Sequence, residues 1–117
     1  MDARPEHGGE ASGMRPLQVF LCALAGCTGM DVVSILGKKR QEVTGVELYV
    51  EADQRTDEYP RIYTEIRLHF AVTGRAVEPR AVARAIELSE EKYCSVAGML
   101  GAQTTVKTSF SIEGAGS

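Results

Sequence analysis

Three cysteines, Cys22, Cys27 and Cys94, are the residues of this chain whose chemistry most needs explaining. Cys27 lies between Gly26 and Gly29 within a segment that the apolar pattern predicts to be helical. Each glycine in a helix costs roughly 1 kcal/mol relative to alanine, so these two indicate that a neighbouring element or a ligand approaches the backbone closely. The residues alone leave two interpretations of Cys27 open: an inert cysteine in a tight helix contact, or a reactive thiol.

Cys94 follows Lys92-Tyr93 at the predicted start of a short helix. A thiol at that position lies near the positive end of the helix dipole and can be acidified, or it can simply pack at the helix junction. Cys22 precedes Cys27 by five residues, which is about 140° around a helix, so the two do not share a face. We therefore expect Cys22 in the core, where free cysteine is usually found.

Composition limits the class of protein. The chain has 117 residues, of which 44% are hydrophobic and 25% charged, with a formal net charge of −3 and no tryptophan. These values are typical of one soluble globular domain and argue against nucleic-acid binding, which calls for basic and aromatic surfaces. Three cysteines are an odd number for a secreted disulfide framework.

The longest uncharged stretch points away from a membrane or secreted protein. It lies between Arg15 and Asp31 and has 15 residues, fewer than the roughly 20 apolar residues that a membrane-spanning helix needs. No signal peptide is evident. We therefore expect a cytoplasmic protein that does not cross a membrane.

The chain divides into an irregular arm over residues 1–15 and one domain over residues 16–117. Pro16 favours the first turn of a helix, and the apolar spacing continues that helix to about Lys39. Residues 19–30 are apolar or small on nearly every face, which predicts that the middle of the helix is buried all round.

Alternating apolar and charged residues predict strands over 46–52 and 62–72 and a final strand over 104–112. Glu78-Pro79 opens a second helix that presents Arg84, Glu87 and Glu90 to solvent, and a break at Tyr93-Cys94-Ser95 leads to a short third helix ending near Gly101. The predicted order is α-β-β-α-α-β. The predicted class is α+β, with the helices on one side of an antiparallel sheet.

Four segments carry a resemblance to a known family. They are RPLQVFLCALAGCTGMDVV, GKKRQEVTGVELYVE, YPRIYTEIRLHF and AIELSEEKYCSVAGML, and together they span nearly all of residues 1–113 in order. In this pattern the chain resembles the OsmC/Ohr family, and within it the short OsmC-like proteins. The resemblance implies a two-layer fold, an intertwined homodimer with long central helices, and active sites at the subunit interface.

The same resemblance implies a thiol peroxidase that reduces organic or fatty-acid hydroperoxides in oxidative stress defence. Cys27 matches the peroxidatic cysteine, which becomes a sulfenic acid, and Cys94 matches the resolving cysteine, which condenses with it to a disulfide. A dithiol reductant, in this family a lipoylated protein, restores the thiols. The resemblance implies no cofactor.

Two features depart from the family pattern. Peroxidases of the family carry a Glu just after the proline that starts the helix, where this chain has Leu17 and then Gln18. The N-terminal strands that supply an activating Arg are expected to be largely missing, either because the true start lies upstream of Met1 or because the sheet is smaller. Arg15, Gln18 and Arg61 are therefore the candidates for activating the thiolate or lining the pocket.

Three other functions compete with the peroxidase. A metal site is not expected, because His7, His69 and the cysteines show no close ligand spacing. The sequence Gly26-Cys27-Thr28-Gly29 reads GxxG, as in RNA-binding KH modules, but it has no adjacent basic residue. A non-catalytic dimer that binds an apolar ligand at the subunit interface, with structural thiols, is the main alternative.

Overall fold

A long helix, α1 (Pro16–Lys38), is the first element of the protein in this computed structural model, which describes residue 9 and residues 13–114. Pro16 is its first residue, as predicted, and the side-chain oxygen of Gln18 accepts a hydrogen bond from the Arg15 backbone N–H at 2.9 Å. Arg40, with φ of 57°, follows the last turn in the left-handed conformation that commonly ends helices. The predicted extent of this helix is confirmed.

One side of α1 forms the core, and the other side is exposed. Its fully covered residues form a single stripe: Leu24, Thr28, Gly29, Val32 and Leu36. On the opposite side Met30 is 76% exposed and Val33 50%. The prediction that the middle of this helix is buried all round is therefore wrong for a single chain, because the sheet and the second helix cover only one side.

The whole of α1 is long and apolar enough to cross a membrane. The expectation of no membrane span considered only the uncharged stretch of 15 residues within it. The core helix of a water-soluble protein meets the same criterion, so this is weak evidence for a span. The buried stripe packs on a sheet with a polar outer face, which is the arrangement of a core helix.

The sheet has three strands: β1 (Glu42–Gln54), β2 (Tyr63–Arg75) and β3 (Thr105–Gly114), in the order β1-β2-β3. β1 and β2 are antiparallel, as predicted, but β3 runs parallel to β2. The prediction of a wholly antiparallel sheet is therefore wrong for β3. The reason is the long helical connection between β2 and β3, which crosses over the sheet and returns the chain in the same direction.

The two faces of the sheet have the polarity that the alternation predicts. Ile66, Leu68 and Phe70 of β2 are buried towards α1. On the outer face Arg67 forms ion pairs with Asp53 at 3.0 Å and Glu65 at 2.6 Å. The helix-facing side is thus the only apolar side of β2 in the described chain.

The connection between β2 and β3 contains helix α2 (Pro79–Leu88), a π-helical turn (Ser89–Tyr93, hereafter the π turn) and helix α3 (Ser95–Gly98). The break predicted at residues 93–95 is confirmed, although α3 ends earlier than expected. Glu90, expected in solvent, is half-buried, and burial raises its pKa. The wider π turn rotates it away from the exposed face of α2.

The predicted α+β class and the element order α-β-β-α-α-β are confirmed. The predicted arm over residues 1–15 lies mostly outside the described residues, as does His7. The boundary between arm and domain therefore stays a prediction.

Candidate active site

One turn of α1 carries three functional groups towards the π turn. Cys27 and Asp31 are four residues apart and so lie on the same face of the helix, and both are half-buried. Thr28 is only 1% exposed, and its hydroxyl donates a hydrogen bond to the Leu24 carbonyl oxygen at 2.9 Å. This turn therefore offers a thiol, a carboxylate and a hydroxyl oxygen at the edge of the core.

The π turn places Cys94 opposite this turn of α1. The Cys94 backbone N–H donates to the Ser89 carbonyl oxygen at 2.7 Å, which closes the π turn. The Ser89 hydroxyl donates to Oδ2 of Asp31 at 2.9 Å. Ser89 thus joins the segment that carries Cys94 to the helix that carries Cys27.

Cys27, Asp31 and Cys94 form a compact group, which we call the thiol–carboxylate cluster. The two Sγ atoms and a carboxylate oxygen of Asp31 all lie within 4.8 Å of one another. The cysteines that the family resemblance pairs are therefore neighbours in the fold, although their catalytic roles stay predictions. The expectation of no metal site rested on local spacing, and spacing does not detect ligands that tertiary contacts bring together.

The sulfur of Cys94 is held by two polar groups. It accepts a hydrogen bond from the Ala97 N–H at 3.4 Å and lies 3.6 Å from Oγ1 of Thr28. The Thr28 hydroxyl also donates to the Leu24 carbonyl oxygen, and either atom of the Thr28–Cys94 contact can be the donor in that contact. These contacts fix the sulfur in the cluster.

The pKa of Cys94 is raised, which is opposite to the acidification expected at a helix start. Burial is the largest cause, and the neighbouring Cys27 adds to it. The hydrogen bonds from Ala97 and Thr28 act in the other direction but are outweighed. Since α3 has only four residues, its dipole is too small to reverse the effect of burial.

The cluster has no cationic partner among residues 13–114. No Lys, Arg or His side chain there forms a hydrogen bond or ion pair with Cys27, Asp31 or Cys94. Any thiolate here is therefore formed without a described positive charge beside it.

The three residues considered as activators do not reach the cluster within the described chain. Arg15 and Gln18 lie at the start of α1, about 18 and 14 Å along the helix axis from Cys27 by helical geometry. Arg61 stacks on the Tyr59 ring at 4.5 Å and hydrogen-bonds the Thr56 carbonyl oxygen in the β1–β2 connection. Their proposed roles find no support in a single chain.

The structure places Cys22 differently from the prediction and adds Asp31, for which no role was predicted. Cys22 is exposed, so its predicted place in the core is wrong for a single chain. It lies on the side of α1 that faces away from the sheet. Asp31 was not singled out, although its spacing of four residues from Cys27 places it one turn along on the same face and could have identified it.

An apolar groove of about 490 Å³ runs along α1, and none of its lining residues belongs to the thiol–carboxylate cluster. Gly26 and Gly29 line it together with Met30, Val33 and Leu48. A Cβ added at Gly29 would lie 2.8 Å from Cδ1 of Leu48, so the end of that side chain would have to shift, whereas a Cβ at Gly26 would meet open space. The close approach predicted from these glycines is thus met by a β1 side chain at Gly29, and Gly26 leaves the groove open.

Comparison with known proteins identifies the family. A family model described as OsmC-like protein matches residues 8–109. The chain belongs to the OsmC-like family. The resemblance seen in the sequence is thereby confirmed.

This OsmC-like protein is similar in sequence to two relatives and shares its fold with a more distant protein. Protein YhfA of Escherichia coli K12 is 47% identical over 97 residues, which cover 83% of this chain and 72% of YhfA. A hypothetical protein from Aquifex aeolicus VF5 has a TM-score of 0.82 at 37% identity, covering 91% of this chain and 78% of its own. The organic hydroperoxide resistance protein OsmC from Legionella pneumophila shares the fold, with a TM-score of 0.74 at 19% identity over 95% and 79% of the two chains.

The raised pKa of Cys94 predicts a pH-dependent reactivity. In the folded protein, iodoacetamide should alkylate Cys94 with a midpoint at higher pH than in the unfolded chain, because the thiolate forms only at higher pH when buried. Peptide mass spectrometry after timed alkylation in buffer and in guanidinium chloride measures both midpoints. Cys27→Ser should lower the folded midpoint only in part, since burial is the larger cause. A folded midpoint at or below the unfolded one would contradict this account.

Proposed function

We propose that this OsmC-like protein reduces organic hydroperoxides with Cys27 and Cys94 as a redox couple. The observation that carries the proposal is that the two sulfurs lie within 4.8 Å of each other in the thiol–carboxylate cluster. Proteins of this fold from Legionella pneumophila and Elizabethkingia anophelis are described as organic hydroperoxide resistance proteins. Family membership supports the broader statement of a redox role.

The first step is attack by Cys27. Cys27 is half-buried while Cys94 is only 5% exposed, so a peroxide meets Cys27 first. The Cys27 thiolate forms a bond to the terminal peroxide oxygen, the O–O bond breaks, and the alkoxide takes a proton and leaves as an alcohol. Cys27 is oxidised to a sulfenic acid.

The second step closes the couple. The Cys94 thiolate attacks the sulfenic sulfur of Cys27, hydroxide leaves and is protonated to water, and an intramolecular disulfide forms. Burial raises the pKa of Cys94 and so favours its neutral thiol before Cys27 is oxidised. A dithiol reductant, which the family resemblance implies is a lipoylated protein, then exchanges with the disulfide and restores both thiols. Such a cycle suits the reducing cytoplasm.

A second copy of this chain is the partner that best explains the exposed face of α1. That face presents Val19, Met30 and Val33 beside the apolar groove, and an uncovered apolar surface of this kind favours association. A homodimer packed on α1 would bury Cys22 and enclose the groove. The peroxide's organic group would then bind between subunits, and Arg15, Gln18 or Arg61 of the second copy would be the candidates to complete the site.

The alternative proposal is a non-catalytic dimer that binds an apolar ligand in the groove. The uncharged lining of the groove supports it, and it requires no thiolate. The two proposals differ in whether loss of Cys27 abolishes the function.

Single cysteine variants test the redox couple. Cys27→Ser should abolish the consumption of cumene hydroperoxide by the reduced protein, because the attacking sulfur is gone. Cys94→Ser should consume one equivalent and stop at a Cys27 sulfenic acid, which a dimedone adduct detects by mass spectrometry. Cys22→Ser is the matched control and should turn over like the parent protein with dihydrolipoamide as reductant.

The result for Cys27→Ser decides between the proposals. Turnover unchanged in a folded Cys27→Ser protein would exclude the peroxidase mechanism. The ligand-binding dimer would be favoured by two results together. Neither the parent protein nor any variant would consume peroxide, and Cys27→Ser would still bind an apolar fluorescent probe.

Sedimentation equilibrium tests the homodimer. The parent protein should have twice the 12.6 kDa mass of one chain, and Met30→Asp should shift it towards monomer by placing a charge on the apolar face of α1. Tyr49→Asp is the control, since Tyr49 is 56% exposed on the polar side of β1. A parent protein that stays monomeric at micromolar concentration would contradict the dimer.

A further inference from the structure

We propose that, in the reduced protein, Cys27, Asp31 and Cys94 form a binding site for a thiophilic divalent cation such as Zn²⁺. Cysteine sulfur and aspartate oxygen are both common zinc ligands. The three candidate ligand atoms converge from two separate segments, α1 and the end of the π turn, to within 4.8 Å of one another. Three protein ligands and one water give the four-coordinate geometry of open zinc sites.

The spacing of the ligand atoms is close to what zinc requires. Zn–S bonds of about 2.3 Å and tetrahedral angles place two sulfur ligands about 3.8 Å apart. A sulfur and an oxygen ligand lie about 3.5 Å apart in the same geometry. Since no pair in the cluster exceeds 4.8 Å, the sulfur–sulfur pair needs to close by at most about 1 Å and the sulfur–oxygen pairs by at most about 1.3 Å, which side-chain rotations supply. The half-buried positions of Cys27 and Asp31 leave a path for the ion to enter.

Each ligand except Cys27 already has a partner that orients it. The Ser89 hydroxyl donates to Oδ2 of Asp31 at 2.9 Å and so fixes the orientation of the carboxylate. The Ala97 N–H donates to the Cys94 sulfur at 3.4 Å, and it would continue to donate to a metal-bound thiolate. Such outer contacts orient metal ligands and commonly raise affinity by about 10- to 100-fold.

Charge favours a cation at this position. With both thiols ionised the cluster carries three negative charges, and no Lys, Arg or His in residues 13–114 pairs with them. A divalent ion offsets two of these charges and displaces the two thiol protons to solvent. Binding should therefore strengthen as pH rises and release protons, because cysteine binds zinc as the thiolate.

Metal binding and disulfide formation use the same two sulfurs and exclude each other. This consequence rests on the proposed function, whereas binding of the ion to the reduced cluster does not. A bound Zn²⁺ would hold Cys27 and Cys94 reduced and withhold them from peroxide. The oxidised protein would have lost two of its three ligands.

Zinc competition against a chromophoric chelator tests the site on the full, reduced chain. The parent protein should bind one Zn²⁺ per chain. Cys27→Ser and Cys94→Ser should each weaken binding by at least about 100-fold, and Asp31→Asn by about 10-fold or more, since loss of a ligand exceeds the usual effect of an outer partner. Co²⁺ should give sulfur-to-metal charge-transfer absorption in the parent, weaker in each single-cysteine variant.

Cys22→Ser is the matched control and should bind as the parent does, and circular dichroism should confirm that every variant is folded. Zinc binding that is lost in Cys22→Ser, or that is unchanged in folded Cys27→Ser and Cys94→Ser, would overturn the proposal. So would the absence of Zn²⁺ binding by the reduced parent. Binding in a protein that consumes no peroxide would support the metal site while refuting the proposed function.

Discussion

The docking of the π turn on α1 is the contact on which the candidate site depends. Ser89 uses its carbonyl oxygen to hold the Cys94 N–H and its hydroxyl to hold Asp31. Because Ser89 is fully buried, these two hydrogen bonds form in a low dielectric where leaving them unmade would be costly. One residue thereby sets the distance between two thiols that belong to different parts of the chain.

The cluster brings three acidic side chains together at the edge of the core, one of them buried and two half-buried. Burial raises the pKa of Cys94, and a carboxylate oxygen of Asp31 lies within 4.8 Å of both sulfurs. Such an arrangement suits three states in which the charge is low: two neutral thiols, a disulfide, and two thiolates on a cation. The proposed redox function and the proposed metal site are thus two responses to the same electrostatic constraint.

Most of the fold could be predicted from the sequence, because period-two strands and a proline-started helix are local signals. The parallel pairing of β3 and the exposed side of α1 could not, since both depend on how distant elements cover one another. Within the site, the family resemblance paired Cys27 with Cys94. Asp31 and Ser89 were not identified from the sequence, because an acid and a serine show this role only when the π turn brings them together. The raised pKa of Cys94 follows from burial, which its predicted position at a helix start does not reveal.

The central claim is that Cys27 and Cys94 form one redox couple. Treating the reduced protein with one equivalent of cumene hydroperoxide, blocking free thiols and mapping disulfides by mass spectrometry tests it most directly. The account predicts an intramolecular Cys27–Cys94 disulfide with Cys22 fully alkylated. Three free thiols after this treatment, or a disulfide that contains Cys22, would contradict it.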